Sequence, residues 1–434
     1  MAAQIERGLR ELYAADPERA DWLVFGRRAK GNRRGFLRGA GLASMAAAVG
    51  AAIPFHRNMP AGLIPAALAD DLEDFKIPGK DGLTVLNDRP LNAETPAHLL
   101  DDPITPTNRL FIRNNGVPPE DVDPAGWTLV VDGEVENPLR LTIDDLKSRF
   151  EVVTLQLQLE CGGNGRAGFN PPASGNQWAV GAVGCPQWTG VRYADVLGAA
   201  GVKPAAVYTG HHGADMHLSG DPDKEPISRG VPIDKAMSPY NLIAFEMNGG
   251  PLDPMNGAPL RLVVPGWPGS CSQKWLIRVE LRDRVHDGEK MGGDSYRVPR
   301  DPVAPGTEVP MDEFVIIESM PVKSLITFPA TNSAVQGFRT AVRGHAWAGD
   351  RTVEALDISF DFGSTWQPAV LQKPANPYAW QQWSGEIDFP RPGYYEVWAR
   401  ATDDAGVMQP FQVAWNPKGY LNNRMHRIAL TVSG

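Results

Sequence analysis

TLQLQLECGGNGR, Thr154 to Arg166, alternates apolar and polar side chains for the length of a strand and then breaks, at Cys161, into glycine and asparagine. Alternation with period two marks a strand with one buried face. The glycines after it let the backbone come close to a ligand, and Arg166 adds a planar cation. Cys161 is therefore expected where a strand hands over to a loop, a common place for chemistry.

Outward from this run, WTLVVDGEVENPLRLTIDDLKSRF predicts a strand, a turn at Asp132-Gly133 and a second short strand. A helix should follow, capped near Thr142, with Asp144 and Asp145 in its first turn. VRYADVLGAAGV reads as a compact helix ended by Gly201, NLIAFEMNGGPLD as a strand and turn, and APLRLVVPGW and QKWLIRVELRD as buried strands. Strands mixed with short helices make this part α+β. After a Pro-rich join at Ser295–Pro310 the helical period vanishes. AVRGHAW, ALDISFDFGSTWQPAVL, YYEVWARATDD and MHRIALTV then recur as short strands, which favours an all-β sandwich of immunoglobulin type. The expected division is a leader at 1–69, a catalytic domain at 70–305 and the sandwich at 306–434. The Pro-rich stretch from Asp70 to about Pro106 is expected as an extended arm on the surface.

A chain of 434 residues has room for two or three cores, and 45 Gly with 39 Pro suit turns and strands better than long helices. Residues 1–69 carry 10 Lys and Arg against 5 Asp and Glu, so the rest is more acidic than the net charge of −9 suggests. An acidic body argues against nucleic acid as a partner. In GNRRGFLRGAGLASMAAAVGAAIPF, Arg33 and Arg34 precede a weakly apolar run to Ile53, and Ala67 to Ala69 have the spacing of a cleavage site. This resembles a twin-arginine export signal, which carries proteins already folded to the periplasm and makes membrane contact transient. The run is short for a membrane span, which takes about 20 apolar residues.

Cys161, Cys185 and Cys271 form no CxxC pair and no CxxCH haem site. In an oxidising compartment a persistent thiol needs protection, and ligation to a metal supplies it. Three readings stand for Cys161: a nucleophile served by His211, His212 or His217, a buried structural thiol, or a soft thiolate ligand. A second small-residue loop, PGWPGSCSQK at Pro265–Lys274, together with Arg113, Arg261 and Lys274, suits an anionic group.

LECGGNGR, NQWAVGAVGCPQWTGVRYADVLGAAGV, LIAFEMNGGPLDPMNGAPLRLVVPGW and KWLIRVEL, in that order, resemble the sulfite oxidase family of molybdenum enzymes. MPVKSLITFPA and WNPKGYLNNRMHRI resemble its dimerisation domain, so the likeness runs over about residues 95 to 434. It implies a sulfite-oxidase-type molybdopterin domain followed by an immunoglobulin-like dimerisation domain, and a homodimer. It implies molybdenum held by molybdopterin, a pyranopterin dithiolene, with Cys161 as the protein's ligand to the metal. Pterin contacts carry over to Phe111, Arg113, Asn114, Asn115, Asp215, Asn256, Arg261, Ser272, Gln273 and Lys274. Asn115 and Asn256 stand where many members have His. Arg113, Arg166, Trp178 and Tyr296 match the substrate pocket, and Lys418 occupies a position where Arg is frequent.

The resemblance implies oxidation of sulfite to sulfate, with electrons passed to an external c-type cytochrome, since no haem segment is visible. Protein-bound sulfur is the alternative substrate, as in the sulfane dehydrogenase subunit of a thiosulfate-oxidising complex. An exported methionine sulfoxide reductase and a metal-free exported binding protein with an immunoglobulin-like module are further alternatives.

Overall fold

The alternating run forms a strand only as far as Gln156, and the reason lies in what covers it. The computed structural model describes residues 76–434, so the expected export signal and its expected cleavage site lie outside the described residues. β1 (Thr84–Asp88), β2 (Leu91–Glu94) and β3 (Ile112–Arg113) make a small antiparallel sheet. β4 (Thr128–Gly133) and β5 (Leu139–Thr142) join β10 (Tyr208–Gly213) and β14 (Leu276–Arg282) in the order β10-β14-β4-β5. β6 (Val152–Gln156), β9 (Gln187–Arg192), β11 (Leu242–Met247) and β12 (Gly250–Pro251) line up as β12-β11-β9-β6, with β13 (Arg261–Val263) also on β11.

The helix Ile143–Arg149 starts at the expected Thr142 cap, and a capping box closes it: the Thr142 hydroxyl accepts from Asp145 N at 3.0 Å and the Asp145 carboxylate accepts from Thr142 N at 2.8 Å. The helix Tyr193–Ala200 stops at Gly201, whose φ of +71° a side chain would resist. Leu146, Val196 and Leu197 from these helices share one core with Leu129, Val131, Leu141, Val279 and Leu281 of the β10-β14-β4-β5 sheet. Each such side chain contributes roughly 1.5–3 kcal/mol.

Where one strand was expected up to Cys161, the chain leaves β6 after Gln156 and re-enters pairing as β7 (Leu159–Glu160), against β8 (Val183–Gly184). Leu157 N donates to Pro186 O at 3.2 Å and Gln158 N to Tyr378 O at 2.9 Å, so the gap is hydrogen-bonded from outside the sheet. Leu157 to Glu160 are all buried, because both faces of this piece are covered and its alternation ceases to mean one face in and one out.

The expected surface arm turns inward between Asn92 and Leu100. Ala93, Thr95 and Leu100 are fully buried. The Glu94 carboxylate accepts from the backbone N–H groups of Ala179 and Gly181 at 2.9–3.0 Å. Asp101 pairs with Arg343 at 2.6 Å.

β15 (Arg297–Pro299) and β16 (Phe314–Ile316) form a hairpin-like pair from the Pro-rich join. Beyond it come β17 (Lys323–Phe328), β18 (Ser333–Gln336), β19 (Arg339–Trp347), β20 (Val353–Ser359), β21 (Gln367–Pro368), β22 (Val370–Leu371), β23 (Gln381–Asp388), β24 (Gly393–Asp403) and β25 (His426–Ser433). They build two sheets, β17-β19-β23-β22 and β18-β25-β24-β20-β21. Val342, Trp383 and Ile387 of the first meet Leu356, Ile358, Val397, Ile428 and Leu430 of the second, which is the expected sandwich. Among the described residues no helix is long and apolar enough to cross a membrane.

Candidate active site

Cys161 lies at the end of β7, on the rim of a core that includes Leu110, Phe111, Leu157, Trp178 and Trp188. Its N–H donates to Ala182 O and its carbonyl accepts from Asn164 N at 2.8 Å, so the loop folds back at once. Gly165, with φ +93°, completes the turn. The thiol opens on a cleft of about 630 Å³, and the small-residue loop predicted at Pro265–Lys274 forms its opposite wall through Gly269, Ser270, Ser272, Gln273 and Lys274.

Of the residues singled out in the sequence, Phe111, Arg113, Asn115, Cys161, Asp215, Asn256, Arg261, Ser272, Gln273, Lys274 and Tyr296 all line this cleft, although they are scattered over 186 positions. Asn114 stands directly behind it, where its side-chain oxygen accepts from Lys274 Nζ. Arg166, Trp178 and Lys418 do not line it. Trp178 is fully buried and meets Phe111 edge-on, with ring centroids 6.4 Å apart, so it backs the pocket aromatic. Arg166 lies in a bed of glycine: a Cβ at Gly163 would come 2.4 Å from its guanidinium. Its Nε donates to Lys418 O at 2.7 Å and one terminal nitrogen to Asn176 O at 2.9 Å, while the group covers the Tyr420 ring at 5.0 Å. Lys418 Nζ pairs with Asp294 at 2.8 Å. His211, His212 and His217 are also absent from the lining, which removes the base that a cysteine nucleophile needs.

Cations dominate the cleft. Arg113, Arg261 and Lys274 line it, and two lysines that sequence reasoning missed stand behind its asparagines. Lys290 Nζ donates to Asn115 Oδ1 at 3.1 Å, and Lys80 Nζ to Asn256 Oδ1 at 2.5 Å. At both positions where the family often has His, an asparagine oxygen thus meets a lysine. Burial drives Lys274 well below its usual pKa, with repulsion from Arg261 adding to it and Asp215 opposing it. Burial also raises Asp215 to about 6 against the pull of Lys274. Burial lowers Arg261 too, yet a delocalised guanidinium keeps its proton at neutral pH.

These residues fit a phosphate-bearing pterin that holds a metal. The cations offer charge-assisted hydrogen bonds to a phosphate, and Asp215 Oδ1 and Ser270 Oγ are buried without a partner among the described residues. Among those residues no group of three or more His, Cys, Asp or Glu could cage a metal unaided, so the Cys161 thiolate needs the remaining donors from a cofactor.

Behind the thiol, the two halves of the molecule meet in a buried network. Glu160, fully buried, accepts from Lys323 Nζ at 2.6 Å, Trp347 Nε1 at 2.8 Å and Asn164 Nδ2 at 3.1 Å. Lys323 and Trp347 belong to the sandwich. So do Leu421, whose N–H donates to Gly162 O, and Asn422, whose side chain donates to Gly165 O at 2.8 Å. None of these contacts was read from the sequence, although Lys323 lies in MPVKSLITFPA, Trp347 in AVRGHAW, and Leu421 and Asn422 in WNPKGYLNNRMHRI, because a contact across 163 positions leaves no local pattern.

Residues 114–290 match the oxidoreductase molybdopterin binding domain and residues 314–433 the Mo-co oxidoreductase dimerisation domain. Sulfite oxidase of Gallus gallus is 33% identical over 361 residues, covering 81% of this chain and 78% of that protein. Mitochondrial sulfite oxidase of Homo sapiens is 34% identical over 367 residues, covering 81% of this chain and 66% of the relative. Among solved structures, the sulfane dehydrogenase SoxCD from Paracoccus pantotrophus matches with a TM-score of 0.65 and 26% identity, over 87% of this chain and 91% of that one. With both domains matched in order and the cofactor cleft built from the residues that the motifs named, the chain belongs to the sulfite oxidase family of molybdenum–molybdopterin oxidoreductases.

Proposed function

We propose that this protein oxidises sulfite to sulfate in the periplasm and passes the electrons to an external c-type cytochrome. The observation that carries the reading is the placement of Cys161, Arg113 and Tyr296 on one cleft whose other wall is built of cations and small residues. The molybdenum, when bound, supplies the two-electron oxidation and the oxygen transfer.

The chain's own residues hold and orient. Cys161 offers the protein's sulfur donor from a loop pinned on both sides. Arg113 presents its guanidinium to the cleft while donating to Asn115 Oδ1 at 2.8 Å, which fixes the plane of the fork. A guanidinium so placed matches the oxygens of a small oxyanion. Tyr296 faces it from the Pro-rich join, stacked on Tyr420 with centroids 5.3 Å apart. Lys274, Arg261 and Ser272 suit the pterin phosphate, with Lys290 adding charge behind Asn115 and Lys80, itself paired with Asp253 at 3.3 Å, orienting Asn256. The twin-arginine motif supports export after folding, which suits a cofactor buried this deeply. The match to a dimerisation domain supports a homodimer, and Val370, Tyr394 and Phe411 leave apolar surface exposed on the sandwich.

A second reading, oxidation of sulfur carried on a partner protein, is favoured by one observation. The likeness to a sulfane dehydrogenase spans nearly the whole of both chains. The deciding experiment is sulfite-dependent reduction of ferricyanide and of a c-type cytochrome by exported protein of known molybdenum content. Turnover on free sulfite supports the first reading; a molybdenum-loaded protein inert to sulfite transfers the case to the second.

A further inference from the structure

Arg229 is 1% exposed, and among the described residues its three guanidinium nitrogens meet no oxygen acceptor, the Cys271 thiol being the side chain within hydrogen-bonding reach. No ion pair joins it to a carboxylate among those residues either. Its company is the Tyr296 ring, which lies 4.7 Å from the guanidinium, the Cys271 thiol and the Tyr208 phenol. The Tyr208 hydroxyl is itself unpartnered, and Ser270 Oγ on the cleft wall has only the Cys271 thiol in reach. An uncompensated buried charge costs several kcal/mol, so a fold that keeps one places it where an opposite charge arrives. By contrast, the cations read from the sequence as the substrate pocket already have partners. Arg166 donates to two carbonyls, Lys418 pairs with Asp294, and Arg113 donates to Asn115.

We propose that Arg229 makes the Tyr296 end of the cleft selective for an oxyanion, as a positioning residue whose unneutralised charge lies directly beneath the Tyr296 ring. It fixes that ring by a cation–π contact and attracts the anion through it, in a dry region where screening is weak. The inference rests on the proposed oxidation of a sulfur oxyanion and deepens it, since it names the group that draws the anion to the tyrosine side. A pterin phosphate has the same chemistry as a ligand, and cofactor content separates the two.

The test compares wild type, Arg229→Met and Arg229→Lys as full-length, molybdenum-loaded proteins, by calorimetric titration with sulfate, KM for sulfite, pterin content and Tm. Wild type should bind sulfate, and Arg229→Met should bind it ~10-fold more weakly, with a comparable rise in KM and a smaller change in kcat. Arg229→Lys should recover part of the affinity. Tm of Arg229→Met should not fall, because an apolar side chain replaces an unpaired buried charge. Wild type failing to bind sulfate, or an unchanged affinity in Arg229→Met, overturns the inference. Loss of pterin from Arg229→Met overturns it by assigning the guanidinium to the cofactor's phosphate, and a fall in Tm with sulfate affinity intact makes the residue structural. If no variant oxidises sulfite while sulfate affinity still follows residue 229, the proposed function fails and the inference stands.

Discussion

Cys161 and Arg166 are five positions apart and do different work. The thiol lines the cleft, so Cys161→Ser should leave the fold intact while molybdenum content and sulfite turnover fall by at least ~100-fold, more than loss of a supporting contact costs. Arg166 holds two carbonyls on separate loops with a planar fork that lysine cannot reproduce. Arg166→Lys should therefore cost ~1–3 kcal/mol in thermal unfolding and raise KM for sulfite through the displaced Lys418 loop. A variant with unchanged Tm and KM would refute that role. At this scale the sequence was informative wherever motif order named a residue. Eleven of those residues meet on one cleft, whereas Arg229, Lys80 and Lys290 carried no motif and became visible only through what they touch.

At the scale of elements, local chemistry was legible and distant pairing was not. Thr142 with Asp145 and the stop at Gly201 are short-range signals, and both appear as read. The run Thr154–Cys161 misled because Tyr378, more than 200 positions away, takes the hydrogen bond that a continuous strand would have used. The Pro-rich stretch misled likewise, since two of its acids, Glu94 and Asp101, are spent on Ala179, Gly181 and Arg343 rather than on solvent. The same distance effect gives a sharp expectation for the Glu160–Lys323 pair. Glu160→Gln or Lys323→Met alone should each destabilise by ~3–5 kcal/mol by leaving a lone buried charge, while the double variant should cost much less than the sum. Additive losses in a thermal double-mutant cycle would show that the two charges do not depend on each other.

For the whole molecule, pH and salt are the natural probes. His426 Nδ1 accepts the Ile326 N–H at 3.0 Å, which requires an unprotonated nitrogen, and burial with Arg424 and Arg427 beside it pushes its pKa down to about 4. Burial pushes His345, stacked flat on Trp380, down to about 4 as well. Folded pKa values below the unfolded 6.5 mean that these groups stabilise fully above pH 6.5 and lose that contribution as pH falls towards 4. Asp215, raised to about 6, and Glu94, raised by its burial, act in the opposite direction, but burial lowers His211 and His286 as well, so the histidines outnumber them. Tm should therefore fall between pH 7 and 4, and replacing His345 with Gln should flatten the decline. Turnover with a basic c-type cytochrome should slow as ionic strength rises, because residues 70–434 carry an excess of Asp and Glu. A flat salt profile would exclude electrostatic docking.

Sequence signatures divide this chain into two modules, yet one buried charge belongs to both. Glu160 stands next to the thiol in one module and, among the described residues, is neutralised only by Lys323 of the other. A chimera given a foreign sandwich with a neutral side chain at position 323 would leave that carboxylate stranded at the base of the catalytic loop. The pair makes the two halves a single unit of exchange: the sandwich can be replaced only together with the residue that precedes Cys161.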